Sequence, residues 1–229
     1  MIPLCDLTPS RTRPVATLGI AAAQAAIGLA VWSGLPGGSE VTARMGLGPV
    51  TWTWPGTAAA LLVHPNAYLL AANLAALWLF GGTVEDRLGR IRFLLLWAAC
   101  GLIAAFAQIA VTPWSTATLL AATGALAGLV GANLALYPGS RILAVVPVLV
   151  GFEFTDVPSW LYACVWGSAV LVSTAATPPT GLAAAVAAGL TAGAAAALLL
   201  HRPERMRVEW WDDANHSRSR AGVVNGPGA

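Results

Sequence analysis

Six stretches of this 229-residue chain run for about the thickness of a bilayer without a charged residue: Val15 to Ser33, Gly56 to Gly81, Phe93 to Thr112, Ala117 to Tyr137, Pro158 to Thr174 and Thr180 to Leu200. A hydrocarbon core of roughly 30 Å takes about 20 apolar residues of helix to cross, and a charge at its centre costs roughly 2.5 to 3.5 kcal/mol on insertion scales. The pattern therefore predicts an all-α polytopic membrane protein, a bundle of six transmembrane helices spanning residues 15–200. Residues 1–14 form a short leading segment. The stretch 201–229 has low hydrophobicity, mixed charge and a closing Gly-Pro-Gly, which predicts a disordered tail.

Two regions are less regular. The second run carries His64 and Pro65 near its start, which predicts a helix beginning around Asn66 after residues that dip into the membrane as a loop. Ile142 to Phe154 is apolar but too short to span, and Glu153 and Asp156 close it. It reads as an interfacial or re-entrant piece, with a longer, distorted fifth helix as the alternative.

The polar segments set a direction. Arg11 and Arg13, then Arg87, Arg90 and Arg92, then Arg141, then Arg202, Arg205 and Arg207 all fall on one side of a six-helix path, whereas the other side receives Arg44 alone. Positive charge favours the cytoplasmic face, so the expected topology is a multi-pass cell-membrane protein with both termini in the cytoplasm. With a formal net charge of +2 and its basic residues dispersed, the chain lacks the concentrated basic face of a nucleic-acid binder. The lipid bilayer is its expected environment. Cys5, Cys100 and Cys164 lie far apart with no CxxC or Cys/His ligand spacing, so neither a disulfide framework, a metal site nor a cofactor is implied.

The fourth run, from Ala121 to Gly131, carries Gly124, Gly128 and Gly131, and the sixth repeats Ala185, Gly189 and Gly193 every four residues. Small residues at that spacing let helix backbones approach closely in lipid, so these two helices are expected to pack on each other.

From His64 to Leu200 the chain resembles the bacterial rhomboid intramembrane serine proteases. The resemblance rests on the Phe80 to Phe93 segment with its glutamate and glycines, on Tyr137-Pro138, and on the opening Ile2-Pro3-Leu4 with Asp6 and Pro9. Active members use a serine in a Gly-x-Ser-Gly motif on helix four and a histidine on helix six. Here the motif reads Ala121-Ala122-Thr123-Gly124, and Val186 or its neighbours Ala185 and Ala187 stand at the histidine position. Both Thr123 and Val186 fall about six residues, or roughly 9 Å of rise, inside the same ends of their helices. The resemblance thus implies a degenerate catalytic pair, Thr123 and Val186, set at similar depth.

Of the family's His-x4-His-x3-Asn arrangement the chain keeps His64 and Asn73 and has Leu69 at the middle position, and the resemblance implies that His64, Asn73 and Gly124 are the oxyanion-side groups. His64 is expected to hold a loop, Asn73 to make an interhelical hydrogen bond, and Thr123 to bond the Leu119 carbonyl as a helical threonine commonly does. A hydroxyl needs a base to become a nucleophile near neutral pH. Losing a serine or histidine from a comparable triad costs about 10⁶ in turnover, roughly 8 kcal/mol, which leaves too little for useful peptide hydrolysis. His201 and His216 fall on the arginine-bearing side, most of a bilayer from Thr123. The reading that follows is a catalytically silent rhomboid-like protein that binds transmembrane segments of client proteins. Its alternative is an intramembrane endopeptidase using Thr123 in place of serine.

Overall fold

In the computed structural model the described residues are 2–6, 12–32, 53–64, 66–115, 121–148, 151–173 and 181–200. The expected tail 201–229, Arg44 and Leu119 lie outside them.

Helix α1 (Val15–Trp32) follows Pro14, and its first free backbone N–H groups find an acceptor far along the chain. The carboxylate of Glu85 accepts from the Ala16 and Thr17 amides at 3.0 and 2.8 Å and from the Thr17 hydroxyl at 2.8 Å. Asp86 beside it accepts from the Thr12 amide at 2.8 Å and from the Thr12 hydroxyl. An anion at a helix N-terminus meets unpaired donors and the positive end of the helix dipole together. That arrangement lets Glu85 and Asp86 sit 1% and 8% exposed.

A short helix α2 (Trp54–Ala59) is capped by Thr53, which accepts from the Gly56 amide at 3.1 Å, and carries a proline in its first turn. Asn66 then caps α3 (Ala67–Ala76) by accepting from the Leu69 amide at 2.7 Å. A π-turn at Leu77–Gly81 leads without a break into α4 (Gly82–Leu88), so one apolar helix runs from Ala67 to Leu88. This corrects the expected end at Gly81: Glu85, Asp86 and Arg87 are helical and buried instead of lying in an open polar loop. Glu85 is bonded to the start of α1 and Asp86 to Thr12 ahead of it, and Arg87 lies over the Tyr137 ring at 5.6 Å. Only Gly89 separates α4 from α5 (Arg90–Val111), and its positive φ of 82° is a conformation that glycine alone adopts freely.

Helix α6 (Ala121–Leu136) is the centre of the bundle, with every residue from Ala121 to Asn133 buried. Tyr137 and Pro138 end it. Then comes the largest departure from expectation. In place of a longer, distorted fifth helix, the described residues of this stretch form two antiparallel strands, β2 (Arg141–Val148) and β3 (Gly151–Pro158). Strand β1 (Ile2–Asp6) adds to them, with Ile2 opposite Val145 and Asp6 opposite Ile142, giving a three-stranded antiparallel sheet in the order β1-β2-β3. A hairpin satisfies its own backbone groups, which a short apolar segment at a membrane surface must otherwise expose.

Helices α7 (Ser159–Ser173) and α8 (Leu182–Leu200) complete the six apolar helices. Among the described residues three of these, Ala67–Leu88, Arg90–Val111 and Leu182–Leu200, are long and apolar enough to cross a membrane by themselves; α1, α6 and α7 are shorter apolar helices. Large apolar side chains such as Leu29, Trp78, Ile91, Val172 and Leu199 face outward, as an outer surface solvated by lipid allows. The helical bundle read from the sequence is thus present, with a small sheet added at its arginine-bearing end.

Candidate functional site

Thr123 lies in the first turn of α6, 1% exposed, and Asn73 in the middle of α3 is fully buried. The Asn73 side-chain amide donates to the Thr123 hydroxyl oxygen at 2.9 Å. An amide inside an apolar helix has to find such a partner. The Asn73 carbonyl oxygen remains without a hydrogen-bond partner among the described residues.

Beside this pair runs the linker between α2 and α3, which enters the bundle. The Ala60 carbonyl accepts from the Ala122 amide at 2.9 Å, satisfying one of the donors that a helix start leaves free. Leu61 packs against the space of the missing Gly101 side chain, halfway along α5, and its carbonyl accepts from Gln24 of α1 at 3.3 Å. The linker is therefore held from three helices at once.

His64 is carried on that linker, outside the spanning helices and only 3% exposed. Neither ring nitrogen makes a hydrogen bond of acceptable geometry among the described residues. Burial lowers its pKa to about 4, and the weak opposing pull of the Leu62 backbone offsets only part of that. The imidazole is held neutral at physiological pH.

On the other side of Thr123 the helices α6 and α8 touch backbone to backbone. A Cβ added at Gly189 would collide with the Gly124 carbonyl, one at Gly193 with the backbone of Gly128, and one at Gly131 with the Leu190 carbonyl. A Cβ at Gly124 would collide with Ala104 and stand 3.5 Å from the Ala185 carbonyl; one at Gly128 would collide with Cys100. This register seats the α8 turn from Ala185 to Gly189, with half-buried Val186 on it, against Gly124. Leu69, where the resemblance expects a histidine, is fully buried core. Gln24 and the Ala60 carbonyl are the members of this region that the motifs did not reveal. For Gln24 a signal existed, since it is an amide in an otherwise apolar helix, the same one that singled out Asn73.

No group of three His, Cys, Asp or Glu side chains is gathered among the described residues. What the arrangement offers is one alcohol, already accepting a hydrogen bond, in a small polar region closed by apolar helices. Such a bundle, with an inward-dipping linker ahead of its second spanning helix and glycine-lined contact between its fourth and sixth, defines a polytopic helical membrane protein with a polar site buried between its helices. The Rhomboid domain family matches residues 51–203, and the chain belongs to that family. No curated protein and no solved structure matches it.

Proposed function

We propose that the protein is a catalytically silent member of its family that binds transmembrane segments of client proteins beside α3 and α7, in the cell membrane, with both termini in the cytoplasm. The observation that carries this reading is the 2.9 Å hydrogen bond from Asn73 to Thr123. It turns the hydroxyl at the nucleophile position into an acceptor within a helix-to-helix contact. A serine-type hydrolase needs in addition a base that takes the hydroxyl proton, and the Asn73 amide, which donates to this oxygen, is not one. At the position where the resemblance calls for that base stands Val186, which has no proton acceptor.

His64 is the one histidine in residues 12–200, and its buried, neutral ring suits anchoring of the linker. Helix association in lipid depends on close packing and interhelical hydrogen bonds, both of which this scaffold retains. The test is cleavage of a membrane-embedded model substrate by the full chain in proteoliposomes, with Thr123→Ala as control. Equal background from both proteins is expected. Product that vanishes in the variant replaces this reading with a threonine-dependent endopeptidase. Site-specific photocrosslinking from Val165 and Val172, which α7 exposes, then reports client segments, and crosslinks no more specific than those of a scrambled-substrate control count against binding.

A further inference from the structure

A groove of about 320 Å³ opens between α1, α5 and the linker that follows α2, and neither Asn73 nor Thr123 lines it. Its lining includes Ala16, Gly19, Ile20, Leu61, Leu94 and Trp97, and every residue in it is apolar. Gly19 is its most informative member. A Cβ built there meets nothing within 4 Å, so no neighbouring helix requires glycine at this point, although glycine disfavours a helix interior relative to alanine. The empty volume beside Gly19 belongs to the groove.

Charge at one end identifies what fills it. Arg13 lies one turn before Ala16 and is exposed. Arg90 lies one turn before Leu94, is 62% exposed, and has its Nε 3.9 Å from the Glu85 Oε1 atom. That same oxygen accepts from the Ala16 amide at 3.0 Å, which puts the Arg90 guanidinium at the groove's end. The acidic groups nearby, Glu85 and Asp86, are buried with their oxygens directed onto Thr12, Ala16 and Thr17. This end therefore carries two exposed arginines, one of them, Arg90, with its Nε beside the buried Glu85 carboxylate.

We infer that the groove between α1 and α5 is a binding site for one anionic phospholipid, its acyl chain lying along Gly19 and its phosphate between Arg13 and Arg90. From Ala16 to Ala23 the groove follows about 10 Å of helix rise. The groove is apolar throughout and its end lies beside two exposed arginines, which suits an acyl chain with an anionic headgroup. Arginines at a membrane surface favour anionic headgroups by about fivefold each.

The test uses the full chain in mild detergent, titrated with phosphatidylglycerol or phosphatidylcholine and read by native mass spectrometry. A one-to-one adduct is expected, with phosphatidylglycerol preferred at least fivefold. Gly19→Leu, which fills the groove without a clash, removes both adducts while leaving the melting temperature of the lipid-free protein unchanged. Arg13→Gln with Arg90→Gln keeps the adducts and abolishes the preference. If Gly19→Leu does not fold, Leu94→Trp fills the groove from the α5 side and is expected to act alike. Equal retention of the two lipids by the wild type, or undiminished adducts in a folded groove-filled variant, overturns the assignment. So does a polypeptide, in place of lipid, crosslinked from a photoreactive residue at position 19.

Discussion

Two asparagine-to-threonine hydrogen bonds cross this bundle, and they differ in what surrounds them. At one level Asn73 of α3 donates to Thr123 of α6; at the other, Asn133 of α6 donates to Thr83 of α4, and both distances are 2.9 Å. The second belongs to a chain of partners. Thr83 in turn donates to the Phe80 carbonyl, and the Ser140 hydroxyl reaches Asn133 at 3.5 Å and Ser159 at 2.7 Å. The first leaves the Asn73 carbonyl oxygen and both nitrogens of nearby-linker His64 without partners among the described residues. Closed polar networks rigidify a core, whereas unsatisfied buried groups raise the question of what else they serve. The same pair of residue types thus belongs to a closed network at the arginine-bearing end and, at the other level, leaves a buried carbonyl oxygen without a partner among the described residues.

The largest expected effect tests the frame that both pairs share. Gly193→Leu forces a side chain into the Gly128 backbone and should cost about 3 kcal/mol or more, since overpacking of a rigid seam has no flexible side chain to absorb it; loss of monodisperse protein in detergent checks this. Next comes pH. His64 is neutral when folded, with a pKa near 4 against 6.5 for the free group, so the unfolded chain binds the extra proton between those values. Stability is then complete above pH 6.5 and falls as pH drops toward 4, by up to about 3 kcal/mol. His64→Leu should flatten that part of the melting curve against pH. A slope unchanged in the variant assigns the loss to other groups.

Smaller effects separate the two pairs. A double-mutant cycle between Asn133→Ala and Thr83→Ala should give a coupling near the upper end of the range for membrane proteins, about 1.7 kcal/mol, because both partners are further bonded. The corresponding cycle for Asn73 and Thr123 should fall nearer the average of about 0.6 kcal/mol. Equal couplings would mean that both pairs are simple joints, and the contrast drawn above would disappear.

Much of this molecule is written in local pattern. Uncharged runs located α1 and α5 to α8 within a few residues, and the four-residue spacing of Gly189 and Gly193 marked the α8 face that meets α6. What escaped the pattern depends on distant partners. Glu85 and Asp86 read as loop charges because nothing near them in sequence shows that α1 and Thr12 ahead of it supply their donors from 68 to 74 positions away. The strands were hidden for a similar reason: Ile142 to Val145 are apolar enough for several conformations, and the partner that makes them the middle of a sheet is Ile2–Asp6. At the site, the amide of Asn73 announced its need for a partner, but only the fold names Thr123 as that partner.

The pairing of the first strand with the second also imposes an order on biosynthesis. Ile2–Asp6 leaves the ribosome long before Arg141–Val148 exists, so the leading residues must wait, unpaired, while the intervening helices are threaded into the bilayer. Closing the sheet is consequently a late event that ties an early-made stretch of the polypeptide to one made much later, and a bulky insertion beside Ile2–Asp6 would be felt at that step before it disturbed any helix.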